Sequence, residues 1–203
     1  MSIIYILTNE AMPGFIKIGR TETSVAQRMA ELDKTSIPLP FQCYFAARVK
    51  DFAKVERTLH TAFGDYRVRA SREFFRMDPY KAKVIIELLA VEDVTPRDDI
   101  SIDSEDQQAL ENVSRYGPRF NFERAGIPIG STLQYTSDTS ITCTVVDANN
   151  VEFEGQIVSP SRAAVMANAM RGGTAKSLQG PIWWLFEGET LATIREKREM
   201  EDL

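Results

Sequence analysis

Six residues in the first third of the chain carry side chains suited to phosphoryl chemistry: Tyr5, Lys17, Arg28, Glu56, His60 and Glu73. Each interrupts or borders an otherwise apolar run, where a residue serving only the fold would be apolar or face solvent. Hydrolysing a phosphodiester needs a base for the attacking water, a divalent cation to offset charge developing on the phosphoryl group, and cations that position it. Glu73 offers a hard oxygen suited to Mg²⁺, which typically takes one or two carboxylates and keeps several waters. Tyr5 serves as base only if nearby cations depress its ordinary pKa of about 10, and Lys17 and Arg28 are the candidate cations. Singly, each residue also has a structural role open to it: a packed strand tyrosine, an arginine snorkelling along its helix, a shoulder histidine, a capping glutamate. Their joint arrangement is what points to chemistry.

The elements that must hold these groups show in the apolar pattern. Residues 3–7 (IIYIL) and 15–19 (FIKIG) flank the turn residues Asn9, Pro13 and Gly14, and predict a β-hairpin with Tyr5 and Lys17 on neighbouring strands. Ser24 followed by Gln27 resembles a capping box opening a helix to about Lys34, ahead of Pro38 and Pro40. Val25, Met29 and Leu32 make its apolar stripe, and Arg28 shares that face by spacing. A strand at about 41–49 leads to Asp51, the N-cap of a helix through Phe63 whose stripe is Phe52, Val55, Leu59 and Ala62. Glu56 and His60 border that stripe together. A basic turn with Arg67, Arg69 and Arg72 precedes Glu73-Phe74-Phe75, and a helix at about 79–91 closes the unit.

Net charge of -5 over 203 residues conceals a division. Residues 1–90 carry 14 Lys/Arg against 10 Asp/Glu, whereas residues 91–112 carry 1 against 8. The first block therefore keeps the locally basic face that binding phosphates requires. The acidic, Ser- and Gln-rich stretch reads as a linker over 92–117, with a short acidic helix at 103–113 as the alternative. Cys43 and Cys143 sit in strand-like runs at no metal-ligand spacing and read as buried free thiols. No leader-like segment or bilayer-length apolar run is present, so the protein is read as cytoplasmic.

At these residues the first block resembles a GIY-YIG endonuclease domain, in the compact phage-type branch whose second motif reads KIG. Ile3-Ile4-Tyr5 stands as the first motif, Lys17-Ile18-Gly19 as the second, Arg28 as the helix arginine, Glu56 and His60 as the Glu-x-x-x-His step, and Glu73 as the metal-binding glutamate. The resemblance spans about residues 3–90. It implies Tyr5 as general base, Glu73 as ligand to Mg²⁺ or Mn²⁺, Lys17 and Arg28 as phosphate contacts, and Arg20, Arg67, Arg69 and Arg72 as DNA contacts. Leu32 stands where many such nucleases place a tyrosine or histidine; either His60 supplies that group or Lys17 makes it unnecessary.

Further along, Ile141, Cys143 and Val145 alternate with polar residues, Asn149-Asn150 supplies a turn, and Val151 and Phe153 continue the alternation, predicting a second hairpin. Ser159-Pro160 reads as an N-cap and first helical position of a helix ending near Gly172-Gly173, and Trp183 to Phe186 as a strand. This block, about 118–195, resembles the RAMA (restriction and adenine-methylation associated) domain in AGIPIGSTL (Ala125 to Leu133), in Ser159 to Ala164 and in its paired tryptophans. Phe120, Tyr135, Trp183 and Trp184 are candidates for holding an extruded, modified base, and Arg162, Arg171 and Lys176 for phosphate contacts.

The expectation is an α+β chain of two small domains, with a β-β-α-β-α-α nuclease unit at 1–91 and a DNA-recognition unit at 118–203. Its function would be metal-dependent cleavage of DNA, selecting modified DNA in a restriction or defence setting, with a homodimer or successive nicks giving a double-strand cut. The rivals are a catalytically degenerate nucleic-acid-binding protein and a structure-selective repair or recombination nuclease.

Overall fold

A computed structural model of the chain describes residues 2–33, 37–69, 71–96 and 119–201. The fold is α+β, with two antiparallel sheets, and the chain divides into two compact units between Leu110 and Glu111. The helix considered at 103–113, and the linker from residue 97 onward, lie outside the described residues.

In the first unit the predicted hairpin forms from β1 (Ile3–Thr8) and β2 (Phe15–Thr21). β3 (Gln42–Val49) pairs with the other side of β1, and β4 (Phe74–Arg76) and β5 (Ala90–Asp93) complete an antiparallel sheet ordered β4-β2-β1-β3-β5. Both edge strands escaped the sequence reading. β4 is too short for an alternating pattern to register, and β5 follows directly on the helix before it, without a turn residue to mark the change. β5 also carries the sheet past the boundary expected at residue 91, and beyond it the Val94 N–H donates to the Ala46 carbonyl at 2.9 Å.

Alternation along the strands sorts side chains to two faces. Register sets Tyr5 opposite Gly19 and Leu7 opposite Lys17, and Tyr5 and Leu7 join a core that includes Val25 of α1 (Val25–Leu32), with Met29 and Leu32 packed against it. Ser24 caps that helix, its Oγ accepting from the Gln27 N–H at 3.1 Å. The helix ends at Leu32, two residues short of the expected Lys34. The opposite face is covered by α2 (Phe52–Ala62) and α3 (Pro79–Leu89), as His60 against Phe75 and Lys83 over Phe45 show. Asp51 and Asp78 cap these two helices through their carboxylates.

The second unit is a six-stranded antiparallel sheet ordered β11-β10-β6-β7-β8-β9. Its strands are β6 (Thr132–Tyr135), β7 (Asp138–Val145), β8 (Val151–Phe153), β9 (Gln156–Val158), β10 (Trp184–Phe186) and β11 (Glu189–Thr190). Helices α4 (Pro160–Met170), α5 (Gly180–Trp183) and α6 (Leu191–Glu201) accompany it. The hairpin read from residues 141–154 is present as β7 and β8, and Ser159 caps α4 as its sequence predicts. Trp183 differs: it ends the single turn of α5 instead of opening a strand, because Pro181 fixes a helical φ at the start of that turn. Both cysteines are free. Burial pushes the Cys143 thiol up to about 12, so it packs as a small apolar group.

Candidate active site

Two strands, the residue ahead of a third and one helix bring Tyr5, Lys17, Glu73 and Arg28 together at the first sheet. Tyr5, in the centre of β1, is fully buried, and the Arg28 Nε of α1 donates to its Oη at 3.4 Å. The same guanidinium reaches Glu31 Oε2 with its Nη1 at 2.8 Å. The Tyr5 ring lies across Gly19, where an added Cβ would stand 2.5 Å from the phenolic oxygen. Only hydrogen at that position leaves room for the ring, which gives the glycine of the KIG segment a physical reason. From β2, Lys17 sets its Nζ over the Phe74 ring, 5.4 Å from the centroid, and donates it to Glu73 Oε2 at 2.6 Å. Glu73 precedes β4, and its backbone carbonyl accepts from the Ile18 N–H at 3.2 Å, which fixes the carboxylate beside Lys17.

Electrostatics at Tyr5 run against the simplest expectation for a base. Burial raises the phenol above its ordinary value of 10.0 and outweighs the hydrogen bond and charge of Arg28, which pull it down. The negative charges of Glu73 and Glu56 add to the rise. Arg28 in turn is held firmly protonated by Tyr5 and Glu31.

His60 does not join this group. Its Nε2 is 3.2 Å from the Ile18 carbonyl and its ring packs on Phe75 at 5.2 Å, on the α2 face of the sheet. Residues Phe74 and Phe75 are adjacent on β4 and so point to opposite faces, one toward Lys17 and the other toward His60. The slot that His60 was a candidate to fill is instead occupied by Leu32, packed into the apolar core beneath α1.

Among the cationic candidates, Arg20 bonds Glu56 through Nε at 3.2 Å and lies over the Phe52 ring. Arg67 donates its Nε to the Arg72 carbonyl at 2.8 Å, and Arg69 and Arg72 are exposed. A cavity of about 440 Å³ opens on the α2 face between Arg20, Glu56, Arg57, His60, Thr61 and Arg67. Sequence reading passed over Arg57 and Thr61, although their spacing of four along α2 is the signal that sets them on one side.

In the second unit Arg162 and Lys176 are exposed and Arg171 is half-buried. The aromatics read as a base pocket are core instead. Phe120, Tyr135, Trp183 and Trp184 are at most 6 % exposed. Tyr135 stacks on Trp183 at 5.5 Å, Trp184 meets Tyr135 and Phe153 edge-on, and Phe120 meets Phe122. The ring faces are used against one another, because one aromatic from each of several short elements is what closes so small a core. Trp184 also donates its Nε1 to the Pro160 carbonyl at 2.9 Å, tying β10 to α4.

Residues 2–90 match the T5orf172 domain, a phage-associated nuclease-like domain. No curated protein and no solved structure matches the chain. The match lies within the first unit and indicates a nuclease-like, DNA-binding role for residues 2–90.

Proposed function

We propose that the T5orf172 unit of this chain is a divalent-metal-dependent DNA endonuclease of the GIY-YIG kind, and that the second unit restricts cutting to modified DNA in a defence setting. One observation carries the catalytic reading: Tyr5 Oη beside Arg28 Nε at 3.4 Å and Lys17 Nζ beside Glu73 Oε2 at 2.6 Å, all on one face of one sheet.

The residues fit a hard cation held by a single carboxylate. The Glu73 side chain is 37 % exposed and uses Oε2 on Lys17, which leaves Oε1 without a hydrogen bond or ion pair among the described residues. Those residues contain no group of three His, Cys, Asp or Glu, which suits Mg²⁺ or Mn²⁺ retaining most of its water better than a transition metal in an all-protein cage. When bound, the cation supplies charge neutralisation at the phosphoryl oxygens. Lys17, its ammonium held by Glu73 and over the Phe74 ring, presents a fixed positive charge to the phosphate. Arg28 exchanges its half-exposed contact with Glu31, worth little in water, for a phosphate oxygen. Its Nε stays on the Tyr5 oxygen, and the phenolate form of Tyr5, its charge offset by Arg28, takes the proton of the attacking water and returns to the neutral phenol.

The test is gel-resolved cleavage of one DNA in unmodified, adenine-methylated, cytosine-methylated, hydroxymethylated and glucosylated forms, with Mg²⁺ or Mn²⁺ and with a chelator. Metal-dependent cutting of one modified form is expected, and Glu73→Ala should lower it by about 100-fold or more while affinity holds. Uniform cutting would remove the modification reader, and preference for branched or flapped DNA would favour a repair nuclease. A second reading is a binding protein without catalysis, favoured by the ion pair that engages Glu73 and by the apolar Leu32. Binding of every form with no cutting would establish it.

A further inference from the structure

The cavity on the α2 face takes no part in the chemistry assigned to the α1 face, yet its lining is that of an anion site. Three guanidiniums, from Arg20, Arg57 and Arg67, surround it, with a single carboxylate, Glu56, among them. Two of the three are fixed by contacts that leave their forks unused. Arg20 is held through Nε by Glu56 and lies 4.9 Å over the Phe52 ring, and Arg67 is held through Nε by the Arg72 carbonyl and lies 5.9 Å over the Phe75 ring. Among the described residues the terminal amino groups of both have no hydrogen-bond partner, and Arg57 forms no ion pair. Guanidinium terminal nitrogens already oriented bind a phosphate with little further loss of freedom. The Thr61 hydroxyl at the rim spends its proton on the Arg57 carbonyl at 2.9 Å, so the guanidiniums supply the anion-binding donors.

Resting on the nuclease reading above, we propose that this cavity binds a phosphodiester of the nucleic-acid backbone other than the one cut, anchoring the strand on the sheet face opposite Tyr5. Arg57 is the residue whose charge the site adds to those already held in place. The cavity serves affinity, not the chemical step.

The test measures binding of a fluorescent 20-base-pair duplex by the full chain across a salt series, for wild type, Arg57→Ala and Arg57→Lys. Arg57 is exposed on its helix, so either variant keeps the fold, which circular dichroism verifies. Expected is a loss of about three- to tenfold in affinity for Arg57→Ala and a salt slope lower by about one, with Arg57→Lys near wild type. Cleavage at saturating DNA should be unchanged. Equal affinity and slope for Arg57→Ala would overturn the site while leaving the nuclease reading intact; failure of wild type to bind or cut DNA would overturn both. Inorganic phosphate and a mononucleotide are titrated in parallel as competitors. Weak, Arg57-dependent competition by either supports a phosphate site filled by the backbone, whereas mononucleotide binding tighter than duplex binding would overturn the backbone assignment.

Discussion

At Tyr5 the decisive fact is that burial wins over cations. A phenol raised above 10.0 is almost wholly protonated near neutrality, and its base form increases tenfold per pH unit. The logarithm of the cleavage rate should therefore climb with slope of about one between roughly pH 7 and 9, and Tyr5→Phe should abolish both rate and slope without unfolding. A rate that stays flat across that range would remove Tyr5 as base. Gly19→Ala tests the same residue from the opposite strand. Its methyl would stand 2.7 Å from the Tyr5 ring carbon Cζ, so the ring must turn, at about 1–3 kcal/mol of stability and about 100-fold in rate. Urea unfolding alongside cleavage kinetics checks both, and an unperturbed rate would show that the ring position is irrelevant. The identity of these residues was legible in the sequence because each polar type broke an apolar run. The sign of the Tyr5 shift was not, since it depends on how completely the sheet and α1 seal the ring.

Element by element, reading succeeded where a local signal existed. Ser24 with Gln27 announced α1, and Asp51, Ser159 and the turn residues announced their helices and hairpins. It failed where pairing is purely long-range: β4 is ordered by hydrogen bonds to β2 and β5 by those to β3, neither written in its own few residues. The same alternation of Phe74 and Phe75 sets His60 on the face away from Tyr5, and it became readable only once β4 was recognised as a strand. α1 is the vulnerable element, with 8 residues, too short to persist on its own in water. It carries Arg28 at its fourth position. Ser24→Ala removes the hydroxyl that accepts from the Gln27 N–H and should destabilise the first unit by about 1 kcal/mol. Because fraying starts within one turn of Arg28, cleavage should fall by more than that stability loss alone predicts at temperatures where the unit stays folded. Parallel losses, with full activity once folding is corrected for, would show that Arg28 is positioned by the core and not by the cap.

At the scale of the molecule, each unit closes a core of its own, one around Tyr5, Leu7 and Val25 and the other around Tyr135, Phe153 and Trp184. Among the described residues no helix is long and apolar enough to cross a membrane. The chain's 2 tryptophans both lie in the second unit, and both are buried there, Trp184 completely. Tryptophan emission therefore follows the second unit alone, whereas far-ultraviolet circular dichroism follows both. If the units fold separately, a denaturant series should give two curves that do not coincide, and residues 1–112 expressed alone should retain the dichroism transition missing from the tryptophan signal. That fragment keeps Tyr5, Lys17, Arg28 and Glu73, so it should still cut DNA, but without preference for a modified form. Cutting that remained selective in the fragment would move recognition into the first unit, onto the arginines that line the α2 cavity. Loss of all cutting with the fragment well folded would mean that the second unit supplies part of the catalytic contact with DNA, in addition to choosing which DNA is bound.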